Sequence, residues 1–341
     1  MVERNVYFPE TPKHFGRYHA LRDNWRHSRD VMLELRKRFD REDLPGVETI
    51  AIAGSFARFE ASPESDADCI IILEDATEDQ QAAAAHVLET VARVLMDLDI
   101  PEPNPTGVFA SPRRLSELLP PMHEGRMGSE TEETDVLSKR LLMLLESRPV
   151  WNDGGYEAAI EAIFERYERY VVEDQTKEHL LLLNHLIHYF RYICVNYESN
   201  FHRQNDKWPL RNLKLRHSRI VMYMGLLVLL GEASKHTDGQ KLATVRENLV
   251  LPPLERIAKV YALNRDTSFF RVAGLYNTFL ARISDATTRA ELNGVGYEDR
   301  YSNVLFSALK ANSDALQAEL SRFIYARRGQ WSERFFEYLI F

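Results

Sequence analysis

The sequence predicts a mixed α/β (α+β) domain with a small sheet, followed by an all-α helical bundle. Three observations carry this reading. Residues 47–53 (VETIAIA) and 67–73 (ADCIIIL) are short runs rich in β-branched or continuously apolar residues, as strands covered on both faces are. Both lie in the first third of the chain, interleaved with helical periodicity. Beyond Ser129 the apolar residues recur almost entirely at helical spacing. A chain of 341 residues exceeds what one core usually organises, so two domains are expected, 1–128 and 129–341.

Taken in order, residues 13–39 are charged and aromatic without proline and predict an amphipathic leading helix. Asp43–Gly46 breaks that pattern before the first strand, and Gly54-Ser55 turns the chain after it. The second strand follows at 67–73. Val87, Leu88, Val91, Val94, Leu95 and Leu98 then place a helix over 78–98. The prolines of PEPNPTG (101–107) exclude both helix and ladder. Val108–Ala110 predicts a short strand, and Ser111-Pro112 a further helix start. Helical periodicity continues over 134–147, 156–172, 176–199, 215–231, 252–263, 267–284 and 301–327. The breaks fall at 151–155, 204–209, 235–239 and 251–253.

Bulk composition narrows the function classes. Hydrophobic residues make up 45% and charged residues 28%, the balance of a soluble globular chain rather than a disordered one. A net charge of −8 argues against non-specific coating of nucleic acid, and no extended nucleic-acid binding is expected. The two cysteines, Cys69 and Cys194, sit in apolar segments and predict buried free thiols rather than a disulfide framework. The first residues are polar, and the longest apolar stretch, 220–230, is too short to span a bilayer. A cytoplasmic protein without membrane association is expected.

The chemistry concentrates in residues 53–73, AGSFARFEASPESDADCIIIL. Asp66 and Asp68, two apart at a strand start, project from one face. Two carboxylates so placed repel one another, and a divalent cation removes the repulsion. Mg²⁺ suits a site with one or two carboxylates, phosphate oxygens and water. Gly54 permits close approach of a ligand to the backbone, Ser55 adds a hydroxyl, and Arg58 one turn later adds positive charge for a triphosphate. A phosphate cradle, a cation and carboxylates are the parts that nucleotidyl transfer requires.

A strand, Gly-Ser, ten residues, then Asp-x-Asp in an apolar strand resembles the signature of the DNA polymerase β-type nucleotidyltransferase superfamily. That resemblance implies that Asp66 and Asp68 bind Mg²⁺ (or Mn²⁺) and act in catalysis, and that Gly54 and Ser55, with Arg58, hold the phosphates of an NTP. The segments VFASPRRLSELL, LLESRPVWND and KWPLRNLKLR are in addition similar to the nucleotidyltransferase portion of bacterial signal-protein uridylyltransferases. The His-Asp dipeptide of the hydrolase domain that follows in those enzymes is absent from this sequence. Many superfamily members carry a third carboxylate on the next strand. Here that segment, TGVFAS, contains none, and Asp97, Asp99 and Glu102 are the acids nearby.

The implied reaction moves NMP from an NTP to an acceptor hydroxyl and releases pyrophosphate. The acceptor, a protein, a small molecule or an RNA end, is left open. Two alternatives stand beside it: a catalytically inactive nucleotide-sensing or partner-binding module of the same fold, and a toxin- or defence-type enzyme acting on a cellular RNA. In the helical half, the basic cluster Arg203, Lys207, Arg211, Lys214, Arg216 and Arg219 supplies candidates for anion contact, with Lys214 taken as a nucleotide ligand. His185 and His188 share a helix face at metal-ligand spacing, together with His179 upstream; packed or hydrogen-bonded histidines are the simpler reading. The aromatic tail RFFEYLIF is expected to dock on the bundle or on a partner.

Overall fold

The structure is a computed structural model that describes residues 6–101, 103, 108–120, 134–172, 179–201 and 208–340. It divides into two compact units. Unit 1 comprises Met1–Glu10 and Trp25–Arg169, and unit 2 comprises Thr11–Asn24 and Tyr170–Phe341.

Unit 1 is built on a four-stranded mixed sheet of order β3-β2-β1-β4, with β1 Val47–Ala53, β2 Cys69–Leu73, β3 Arg113–Arg114 and β4 Ser147–Trp151. β1 pairs antiparallel with β2 (Ile50 opposite Ile71, Ile52 opposite Cys69) and with β4 (Ala51 opposite Pro149, Ala53 opposite Ser147). β3 runs parallel to β2, Ile72 standing opposite Arg113. The two central strands are the two expected from sequence, and β2 is buried at every position. Pro149 is tolerated because β4 is an edge strand, where a missing amide donor need not break a ladder.

The helices of this unit are α1 (His19–Phe39) from Trp25 onward, the one-turn α2 (Gly54–Ala57), α3 (Gln80–Asp97), the one-turn α4 (Leu115–Leu118), α5 (Thr134–Leu145) and α6 (Asp153–Val172) as far as Arg169. Trp25, Met32, Leu35 and Phe39 recur at helical spacing along α1 and are buried. Arg36 reaches from α1 to form a bidentate pair with Asp153 at the start of α6, at 2.7 and 2.8 Å. Asp79 caps α3 by accepting from the Ala82 amide at 2.9 Å. Arg140 of α5 is fully buried, donating to the Tyr167 hydroxyl (3.1 Å) and the Leu118 carbonyl (2.8 Å).

Several expectations are corrected. The helix expected to begin at residue 13 begins at His19, after a single 3-10 turn over Lys13–Phe15. Val108–Ala110 is also a 3-10 turn rather than a strand, and the pairing falls instead on Arg113–Arg114, directly before α4. β4 falls in the half expected to be helical. Its pairing with β1 ties β4 to the sheet, and unit 1 extends to Arg169. Residues 11–24 cluster with unit 2.

Unit 2 is helical: α7 (Leu180–Phe201), α8 (Trp208–Lys214), α9 (Ile220–Ala233), α10 (Asp238–Leu249), α11 (Pro253–Leu263), α12 (Phe269–Ile283), α13 (Ala286–Asn293), α14 (Val304–Ala326) and α15 (Glu333–Ile340). A π-type turn over Leu215–Arg219 joins α8 to α9. α9, apolar on every face, is buried from Met224 to Ala233 and forms the centre of this core. Glu232, the acid in that run, is satisfied by Trp331 Nε1 (3.0 Å), Asn264 (2.8 Å) and Lys235 (2.8 Å). The aromatic tail docks as expected: Phe335 is buried edge-on against the buried ring of Trp331, 5.4 Å between centroids. No helix among the described residues is long and apolar enough to cross a membrane.

Candidate nucleotide site

The turn after β1 decides the geometry of residues 53–68. Its register is closed by the Ala53 amide, which donates to the Asp68 carbonyl at 2.7 Å. Gly54 follows with φ +67°, in the left-handed region that residues with a Cβ rarely enter. A Cβ here would stand 2.6 Å from Asp68 Oδ2. The absence of a side chain at Gly54 is thus what lets the Asp68 carboxylate lie against the turn. Ser55, half-buried, is the next residue.

Asp66 is exposed and Asp68 partly exposed, on either side of the buried Ala67. The Ala67 amide donates to the Pro101 carbonyl at 3.4 Å, so the end of the α3–Pro101 segment runs beside the two aspartates. Cys69, the next residue inward, is buried. Burial and the neighbouring Asp68 charge push its thiol up to about 12, so it stays protonated and inert. Cys194, expected to be buried as well, is only half-buried.

Arg58 sits within the unit rather than at its surface. Its side chain is 7% exposed and pairs with Glu60 and with Glu146, the last residue before β4, both carboxylates being almost wholly buried. Burial disfavours the guanidinium charge, but Glu146 and Glu60 more than offset this and raise its pKa above the ordinary arginine value. A second buried arginine, Arg148 of β4, donates to the Ala57 carbonyl (3.0 Å) and to the Tyr7 carbonyl (2.7 Å). Burial pushes its pKa down to about 10.

The turn's far end carries a second left-handed residue. The Phe59 amide bonds the Phe56 carbonyl (2.9 Å) and the Glu60 amide bonds the Ser55 carbonyl (3.0 Å), the two-bond helix stop in which the left-handed position is usually glycine. Here it is Phe59, at φ +58°. The ring explains the residue: it stacks on Trp25 of α1 at 4.2 Å and lies under the Arg148 guanidinium at 4.7 Å. Downstream, the Ala61 amide donates to Ser28 Oγ at 3.0 Å, fixing the connection along α1. Residues 54–61 are therefore gripped at both ends.

Sequence reasoning missed Glu60, Glu146, Arg148 and Trp25. The available signal was the pair of charges in LLESRPV, which interrupts an otherwise apolar run. β3, the strand beside β2, carries Arg113 and Arg114 and no acid. Arg113 pairs with Asp135 at 2.8 Å, and the buried Lys139 donates to the Ser111 carbonyl just upstream. Asp97 closes α3, Asp99 adopts φ +53°, and Glu102 lies outside the described residues.

The side chains of Ser55, Asp66 and Asp68 offer only oxygen donors, and of these the Asp68 carboxylate is the one that lies against the turn. That chemistry fits a hard cation such as Mg²⁺, and the space that a Cβ at Gly54 would fill is the space such a site needs. Among the described residues, no group of three or more His, Cys, Asp or Glu side chains is disposed to hold a metal ion. The remaining ligands of a cation at Asp66 and Asp68 would be phosphate oxygens and water, the usual arrangement for Mg²⁺.

Lys214 belongs to unit 2, at the end of α8, whereas Gly54, Ser55, Arg58, Asp66 and Asp68 belong to unit 1. Of the other basic residues in its cluster, Arg216 is engaged by Asp314 and Ser313, and Arg203 and Lys207 lie outside the described residues. His185 is buried and His188 exposed.

Residues 32–112 match the nucleotidyltransferase domain family. The matched stretch runs from the middle of α1 through β1, the Gly54-Ser55 turn, Asp66, Asp68, β2 and α3, and supports the polymerase β-type superfamily for this part of the chain. No curated protein matches the chain.

Proposed function

We propose that unit 1 binds an NTP with Mg²⁺ and transfers its NMP to an acceptor hydroxyl. The observation that carries this reading is the contact between Gly54 and Asp68. A left-handed glycine leaves room for the Asp68 carboxylate against the turn, inside the stretch that matches the nucleotidyltransferase domain.

Asp66 and Asp68 hold the cation through their carboxylate oxygens, and Gly54 and Ser55 face the phosphates through the backbone and the hydroxyl. When bound, Mg²⁺ neutralises phosphate charge and aligns the oxygens of an in-line displacement. The acceptor hydroxyl gives up its proton to water as its oxygen forms a bond to the α-phosphorus, the bond to the β-phosphate oxygen breaks, and pyrophosphate leaves with that electron pair. Arg58 takes a different part from the one its spacing suggests. Held by Glu60 and Glu146, it keeps the turn in place from behind, and positive charge at the phosphates comes from the cation.

The reading is tested by incubating the full chain with each α-labelled NTP, Mg²⁺ and a cell extract. Label should move to an acceptor with one or more of the nucleotides, and Asp66→Asn and Asp68→Asn should abolish the transfer. Transfer that persists in both variants sinks the assignment. The nature of the labelled species, protein, small molecule or RNA, identifies the acceptor.

A further inference from the structure

Unit 2 contains a strained cation with no partner among the described residues. α11 ends in the same two-bond stop that closes α2. The Arg265 amide bonds the Ala262 carbonyl (3.0 Å), and the Asp266 amide bonds the Tyr261 carbonyl (2.9 Å). The left-handed position, where glycine is the usual residue, is Arg265 at φ +53°. Phe59 accounts for its strain by stacking. Arg265 does not: its side chain is exposed and, among the described residues, meets no carboxylate, hydrogen-bond acceptor or ring. A side chain kept in an unfavourable backbone state without internal reward points to an external one.

Arg265 lines a cavity of about 620 Å³. Its apolar wall is formed by Leu251, Ala258, Tyr261, Ala262, Phe269 and Phe270. Lys259, on the exposed side of α11, lines it too and likewise has no partner among the described residues. The acids of the same lining are already engaged: Glu255 by His14 at 2.9 Å, and Asp266 by Arg327 at 2.7 Å. Tyr261 buries its hydroxyl with no hydrogen-bond partner among the described residues. Aromatic rings and two cations without a partner among the described residues, lining one cavity, are complementary to a ligand that is flat and apolar at one end and anionic at the other.

We propose that this cavity binds a small aromatic anion, its ring against Phe269 and Phe270 and its phosphate or carboxylate between Lys259 and Arg265. The inference is independent of nucleotide binding in unit 1. The test titrates the full chain by calorimetry with phenyl phosphate, benzoate and AMP. Benzyl alcohol and inorganic phosphate, which each carry half of the chemistry, are the comparisons. One or more of the aromatic anions should bind at least tenfold more tightly than either comparison compound, and the ranking among the three separates a nucleotide from a simpler aryl anion.

Lys259→Ala and Arg265→Gly should each weaken that binding tenfold or more, while Asp68→Asn leaves it unchanged. Arg265→Gly should also melt at or above the temperature of the parent, because glycine relieves the left-handed strain. A lowered melting temperature in Arg265→Gly would show that the arginine is held by the fold and would overturn the proposal. So would binding that persists undiminished in both cavity variants, or the absence of saturable binding by every aromatic anion at millimolar concentration.

Discussion

Replacing Gly54 by alanine tests the geometry of the site without removing any ionisable group. At φ +67° a residue with a Cβ costs about 1–2 kcal/mol in backbone strain. The new Cβ would stand 2.6 Å from Asp68 Oδ2, whereas ordinary contact begins at 3.4 Å, so the carboxylate or the turn must retreat by about 0.8 Å. Misplacing a reacting group by about 1 Å costs on the order of 10²-fold in rate. Gly46→Ala supplies the control. Gly46 has φ +74° and a Cβ there would meet Thr77 Oγ1 at 2.9 Å, but it lies before β1 whereas Gly54 lies after it. Mg²⁺-dependent label transfer at saturating NTP and thermal melting would be measured for both variants. Both should lose comparable stability, and only Gly54→Ala should lose transfer by roughly two orders of magnitude. Full activity in Gly54→Ala, or equal losses in the two variants, would refute the reasoning.

Arg58→Met leaves Glu60 and Glu146 buried without their cation and should cost about 3–5 kcal/mol in denaturant unfolding. Adding Glu146→Leu should recover part of that loss; an Arg58→Met variant of parental stability with only a raised KM would mean that Arg58 touches phosphate after all. His217 provides a pH test. It is fully buried and stacked on Phe279 at 4.0 Å, and burial lowers its pKa from 6.5 to about 4. The unfolded chain takes up this proton as pH falls through 6.5 and the folded chain only near 4. The histidine's contribution is therefore complete above pH 6.5 and falls away toward pH 4, by about 3 kcal/mol in all. His217→Gln should narrow the difference in unfolding midpoint between neutral and mildly acidic buffer; an unchanged difference would show that the ring accepts a proton without penalty.

The parts of the fold that were legible in sequence are those decided locally. β1 and β2 announce themselves because strands buried on both faces need unbroken apolar runs, and Gly54 because a left-handed turn needs glycine. β4 was hidden. It follows α5 with only Glu146 between, and SRPVW carries a charge and a proline where a strand pattern would be sought. Its partner is β1, far back in the chain, and no local rule reports that pairing. Arg58 shows the same limit at the level of one side chain. Its spacing from Gly54 is compatible with a phosphate ligand, but the partner that decides its place, Glu146, is 88 residues away. Phe59 and Arg265 invert the lesson: sequence gives no hint that either sits where glycine is usual, and the structure makes both conspicuous.

The central claim is that Asp68, held against Gly54, helps to bind a metal-nucleotide complex. Its most direct test is the affinity of the full chain for a non-hydrolysable NTP, with and without Mg²⁺, in the parent and in Asp68→Asn. Asparagine preserves the shape of the side chain beside the turn while removing its charge. Binding should require Mg²⁺ in the parent and weaken at least tenfold in Asp68→Asn at unchanged melting temperature. Equal affinity in the two proteins, or binding indifferent to the metal, would contradict it.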